Sequence, residues 1–128
     1  MPLPAAKQGD RIFAIDIHMV IDPSSSTSIP LSHPFDGVIN GNLSPDINIM
    51  GKPAATVGST AENMPPHIPT LGTFQTPPTN RGTIQNGSPT VNINGKPAVR
   101  NGDLALTCND PADLPVGQVI ADGTVFIG

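Results

Sequence analysis

The 128-residue chain has no tryptophan, no tyrosine and only four phenylalanines, so its burial must come from Ile, Val, Leu, Ala and Met. A single cysteine, Cys108, excludes an internal disulfide. Six Lys and Arg stand against ten Asp and Glu, a net charge of −4. The basic stripe that nucleic-acid binding requires is therefore missing. Charged residues make up only 12% of the chain, and with that little charge and ample apolar content the composition is not that of a disordered segment. No stretch is long and apolar enough to span a bilayer. Residues 1–7 lack the apolar segment of a secretory leader, from which synthesis in the cytoplasm without a signal peptide is expected. Helical periodicity never persists beyond a turn or two.

Sixteen prolines and thirteen glycines fill the space that helix formers would occupy. In an ordered chain they read as turn chemistry between short strands. The order shows in a repeat. Ser44-Pro45-Asp46-Ile47-Asn48-Ile49-Met50-Gly51-Lys52-Pro53-Ala54 returns as Ser88-Pro89-Thr90-Val91-Asn92-Ile93-Asn94-Gly95-Lys96-Pro97-Ala98, with eight of eleven positions identical. Each copy follows a Gly-x-Ile start, Gly37-Val38-Ile39 and Gly82-Thr83-Ile84. A third start, Gly117-Gln118-Val119, leads into Thr124-Val125-Phe126-Ile127. One small unit used about three times is the signature of a repeat architecture. The whole chain, 1–128, is expected to form a single domain.

The pattern predicts an all-β fold. Arg11–Ile17 is the first strand, with Phe13, Ile15 and Ile17 sharing a face. Residues 22–34 read as a Ser- and Pro-rich loop, and 58–81 as a strand-free strap. Gly51-Lys52-Pro53 and Gly95-Lys96-Pro97 read as hairpin turns. Ile47/Ile49, Val91/Ile93 and Val125/Ile127 alternate with Asn or Phe, so one side faces in. Three such hairpins around one axis give a narrow, three-sided, short-strand structure with pseudo-threefold repeats and Pro-rich loops.

With a disulfide excluded, a small core poor in aromatics is a candidate for a metal staple, for assembly with a partner, or for both. His18, His33, His67 and Cys108 together match the complement of a closed tetrahedral zinc site. Their spacing forms no CxxC or HxxxH motif. Their placement is more telling: His18 and His67 each lie nine residues after Gly9 and Gly58, and Cys108 six after Gly102. Each of these glycines closes a comparable turn. Four unrelated, locally satisfied residues remain the alternative. A Cys–His nucleophile needs a base and an oxyanion site, and nothing around Leu106-Thr107-Cys108-Asn109 provides them. Asp16/Asp22 and Asp110/Asp113 read as turn and loop residues. No Gly-rich stretch opens a helix to hold phosphate. The chain does not read as an enzyme.

The repeated Ser-Pro-x-[Ile/Val]-Asn-Ile-x-Gly-Lys-Pro-Ala resembles the PAAR-repeat family, whose name-giving stretch stands here as Pro53-Ala54-Ala55-Thr56 and Pro97-Ala98-Val99-Arg100. The resemblance implies a conical β structure that caps a homotrimeric, VgrG-like spike, one tip per trimer. It implies a spike sharpened for membrane puncture by a contractile injection system, of the type VI secretion or phage-tail-like kind, with effector cargo as a further partner. It implies assembly at the tip of the apparatus and delivery or release outside the cell. It also implies one structural Zn2+ per chain near the apex, held by three His and one Cys, here His18, His33, His67 and Cys108. The competing reading is a metal-free β-helical adhesion or binding module, suggested by the Asn-, Thr- and Ser-rich exterior. Under the zinc reading, Cys108 is shielded from alkylation until the metal is removed.

Overall fold

The computed structural model describes residues 2–128, which form thirteen strands and no helix. Six strands close on themselves: β2 (Arg11–Ile21), β3 (Ser28–Gly41), β6 (Thr60–Asn63), β8 (Arg81–Ile84), β11 (Leu104–Thr107) and β12 (Leu114–Ile120). Every neighbouring pair is antiparallel, and β12 pairs back onto β2 through Gln118↔Phe13 and Ile120↔Arg11. The closure leaves no free edge in the barrel. β7 (Thr73–Phe74) adds to the far end of β2. Three two-stranded hairpins stand outside the barrel: β4 (Asn48–Ile49) with β5 (Lys52–Pro53), β9 (Asn92–Ile93) with β10 (Lys96–Pro97), and β1 (Leu3–Pro4) with β13 (Phe126–Ile127).

The third hairpin completes the repeat in an unexpected way. Its two halves come from the two ends of the chain, so Pro4-Ala5-Ala6-Lys7 is the third copy of Pro53-Ala54-Ala55-Thr56 and Pro97-Ala98-Val99-Arg100. At the centre, Ala6 N–H donates to Val99 O (2.9 Å), Val99 N–H to Ala55 O (3.3 Å) and Ala55 N–H to Ala6 O (3.0 Å). All three residues are fully buried. The ring is closed, and each copy satisfies the next, as buried backbone groups must be satisfied. A second cycle surrounds it: Gln8 N–H to Pro53 O, Val57 N–H to Pro97 O and Asn101 N–H to Pro4 O. Each copy then reverses at a glycine with positive φ, Gly9 (91°), Gly58 (96°) and Gly102 (89°). A side chain closes each reversal: Asp10 accepts from Lys7 N–H, Ser59 from Thr56 N–H and Asp103 from Arg100 N–H.

Above this ring the barrel interior is stacked in threes. Ile39, Ile84 and Val119 form one layer, and Ile12, Ala61 and Ala105 another, all at most 1% exposed. A single large ring, Phe35, breaks the symmetry. The inward glycines of the three Gly-x-Ile starts accommodate it. A Cβ on Gly37 would stand 2.6 Å from the Phe35 ring, and one on Gly82 3.3 Å from it. One on Gly117 would meet Thr107 and Ile12 at 2.9 and 3.0 Å. A methyl group would force its neighbours to shift at Gly37 and Gly117, and at Gly82 the Phe35 ring would have to give by a few tenths of an ångström.

Three expectations need correction. β2 runs four residues further than Ile17, and its Phe13–Ile15–Ile17 face is the outer one (48%, 50% and 37% exposed). The inward face carries Ile12, Ala14, Asp16, His18 and Val20, because closure of the barrel assigns the other parity to the core. Much of the expected loop 22–34 is instead the start of β3, a 14-residue strand whose Ser28–Val38 pair with the whole of β2. The strap 58–81 contains β6, β7 and the start of β8. Within the hairpins, Ile49 and Ile127 are buried, whereas Ile47, Val91 and Val125 are 43%, 36% and 40% exposed at equivalent positions.

Because β6, β8 and β11 have only four residues each, the structure narrows from six strands to the β2–β3 ribbon, covered by β7 and the loops around 64–72 and 108–113. If the backbone ring is the packed centre of the fold, Ala55→Leu overfills it. The substitution is expected to lower stability by about 1–3 kcal/mol, read as a fall in denaturant midpoint at unchanged slope. A wild-type midpoint would contradict the packing described.

Candidate metal centre

All four residues singled out by sequence meet inside the narrow end. β2 delivers His18 on its inward face, two residues beyond Asp16, so both point the same way. β3 delivers His33, directly opposite Asp16 in the ladder. His67 comes from the strap after β6, fixed by its N–H donating to Asn80 Oδ1 at 2.8 Å. Cys108 is the residue after β11. The following loop is zipped to the edge of β2: Ile17 N–H donates to Asn109 Oδ1 (2.7 Å), Asp110 N–H to Ile17 O (2.8 Å) and Met19 N–H to Asp110 Oδ2 (2.8 Å).

The three imidazoles face one another edge-on, with ring centres 5.0, 5.6 and 5.7 Å apart. Imidazoles bound to one zinc at about 2.0–2.1 Å would place their centres roughly 5 Å apart. Phe74 covers the chamber, 5.7 Å from His18 and 5.3 Å from His33, and Phe35 lies 6.1 Å from His67 on the core side. Donor atoms of Asp16, His18, His67 and Cys108 all lie within 4.8 Å of one another. The His33 ring stands beside them.

Burial shifts the protonation equilibria of three of these side chains. Burial holds the His18 and His33 imidazoles below the usual histidine range, which favours their neutral, ligating form. Burial, reinforced by the Asp16 carboxylate, pushes the Cys108 thiol up to about 11. Three buried ring nitrogens have no hydrogen-bond partner: Nδ1 and Nε2 of His18, and Nε2 of His33. Asp110 Oδ2 is 3.6 Å from His18 Nδ1, beyond hydrogen-bond range. Unpaired buried nitrogens of this kind cost about 1–3 kcal/mol each. Two imidazoles carrying such nitrogens in one chamber, beside a thiol and a third imidazole, fit a metal ion. The residues present could bind one.

Asp16 escaped the sequence reading, which placed it in a turn. It is a fully buried strand residue. The signal was available in the parity it shares with His18. Asp22 does sit in a turn, accepting from Ser24 N–H at 2.8 Å.

The fold and the chamber define a class: a closed, three-sided β body that narrows to a buried cluster of metal-competent side chains. The PAAR motif family model matches residues 32–108 and again 74–128. The chain belongs to the PAAR-motif family, whose members are structural proteins of the spike tip of contractile injection systems, rather than enzymes. They associate with VgrG spikes and form part of a tip that is delivered outside the cell. A search of curated proteins returns no match.

The Cys108 side chain is buried (2% exposed) and does not line the 440 Å3 cleft beside Phe13, Pro34 and Ile68. Burial alone therefore protects the thiol, and protection by itself does not report a bound metal. At pH 8 the folded, metal-stripped chain is expected to react with iodoacetamide at least tenfold more slowly than a free thiol. Unfolding in urea should abolish the difference. Rapid alkylation of the folded chain would contradict the geometry around Cys108.

Proposed function

We propose that this chain is the tip of a homotrimeric, VgrG-like spike, one chain per trimer, and that it sharpens the spike for membrane puncture. The observation that carries the proposal is the base. There, one chain presents three equivalent hairpins around a closed backbone ring, each with an exposed apolar residue at the same position: Ile47, Val91 and Val125. A surface that repeats three times fits a partner that repeats three times, because each copy can then make the same contact. Three scattered apolar residues would need no explanation. Three related by a pseudo-threefold do.

At the other end, His18, His33, His67 and Cys108 hold one structural zinc ion. When bound, zinc supplies a cross-link between β2, β3, the strap and the β11–β12 loop, in a chain whose single cysteine allows no internal disulfide. Structural zinc in small domains contributes roughly 10–16 kcal/mol of apparent binding free energy. The point, where the barrel has given way to two strands, is where rigidity is otherwise lowest. The orphaned nitrogens of His18 and His33 support this reading over a metal-free adhesion module.

The test uses a spike trimer and the triple variant Ile47→Asp, Val91→Asp, Val125→Asp. Wild type is expected to carry one zinc per chain and to co-purify with the spike. The variant should keep its zinc and lose the spike by at least a hundredfold in affinity, as buried unpaired charges disrupt an interface. Undiminished spike binding by the zinc-loaded variant would overturn the docking face, and a folded wild type without metal would overturn the zinc.

A further inference from the structure

Asp16 is the one charged group inside the chamber whose role the four-ligand reading does not use. Its carboxylate is 0% exposed. Oδ1 is committed to the protein, accepting from Thr107 Oγ1 (2.5 Å) and Asn109 Nδ2 (3.2 Å). Oδ2 faces the donors: His67 Nε2 lies 2.9 Å from it and Cys108 Sγ 3.4 Å. An imidazole nitrogen and a thiol sulfur thus converge on one carboxylate oxygen. A cation seated among the donors would meet the same three atoms.

We infer that Asp16 is a direct ligand of the metal centre, adding through Oδ2 a second anion to His18, His33, His67 and Cys108. This rests on the zinc-site reading above and deepens it. Three arguments carry it. Asp16 belongs to the set of donors that lie within 4.8 Å of one another. Its second oxygen is already held by Thr107 and Asn109, so the carboxylate is fixed and would bind through one oxygen, as ligating carboxylates commonly are fixed by outer partners. The charges also balance. A divalent ion with one thiolate and three neutral imidazoles leaves one positive charge in a dry chamber, and burying an uncompensated charge is strongly unfavourable. The Asp16 carboxylate cancels it. Asp110 serves less well, because it stands behind His18 at the rim and is engaged by Met19 N–H.

The probe is cobalt(II), exchanged into the purified full-length chain and read by optical absorption, since coordination geometry is visible in its d–d bands. Wild type should show thiolate-to-cobalt charge transfer with the weak d–d bands of a five-donor site. Asp16→Asn should keep the charge-transfer band, while its d–d bands shift and intensify towards a four-donor tetrahedral pattern. Cobalt affinity should fall about a hundredfold, the upper end of what loss of an outer-shell partner alone produces. Thr107→Val, which touches only the other carboxylate oxygen, should leave the d–d bands in place. Superimposable d–d bands for wild type and Asp16→Asn would put Asp16 outside the shell and overturn the inference while leaving the metal centre intact. A wild type that takes up no cobalt would overturn the centre itself. If Asp16→Asn does not fold, X-ray absorption of the wild-type cobalt protein decides the point: five donors support Asp16, four contradict it.

Discussion

One chain builds a pseudo-threefold object, and everything else in this structure follows from how it closes the ring. The closure is the hydrogen-bonded ring of Ala6, Ala55 and Val99, each donating to the next and accepting from the one before. Such a ring needs three backbones to approach a common axis, which is why small residues stand there in two of the three copies. It also needs the chain to pass the axis three times, with comparable reversals at Gly9, Gly58 and Gly102. Once those are fixed, the hairpins radiate from the ring at equal positions. The strands that follow are aimed into a single six-stranded barrel.

The barrel pays for symmetry at one end with asymmetry at the other. Its interior takes a single Phe35 ring, with the inward glycines 37 and 82 against it and Gly117 against its neighbour Ile12. Beyond that layer only β2 and β3 continue, and the other sides are supplied by loops. Loops cannot fill a core with Ile and Val as strands do, and the narrow end is instead filled by polar side chains that need a common partner. Polarity there is the consequence of narrowing. The inferred metal centre, with Asp16 as its second anion, gives those side chains that partner. The polar apex and the pseudo-threefold base thus come from one constraint, a cross-section that shrinks along the axis.

The fold class was legible in the sequence because it is written in the repeat. Ser-Pro, Asn-Ile and Gly-Lys-Pro-Ala recur with the spacing of a hairpin, and Pro-Ala-Ala and Gly-Asp punctuate the chain where the axis is crossed. Four of the chamber residues were legible as well, since one Cys and three His leave few other ways to build a site. What escaped was of two kinds. Pro4-Ala5-Ala6-Lys7 is the third copy, yet it is separated from its partner strand, β13, by the rest of the chain. Linear repeat counting cannot join them. The parity of β2 also escaped, since Phe13, Ile15 and Ile17 look more like a buried face than Ile12, Ala14, Asp16 and His18 do. Only barrel closure, through Val119↔Ile12, decides it. That same decision puts Asp16 in the chamber.

The central claim is that one chain serves as a threefold surface. Native mass spectrometry of the chain mixed in excess with a VgrG-like spike trimer tests it most directly. The account predicts a single species containing one chain per three spike subunits, with no further addition at higher concentration. Three chains per trimer, or a ladder of one, two and three, would mean that each spike subunit binds its own copy, and the pseudo-threefold base would not be the docking surface.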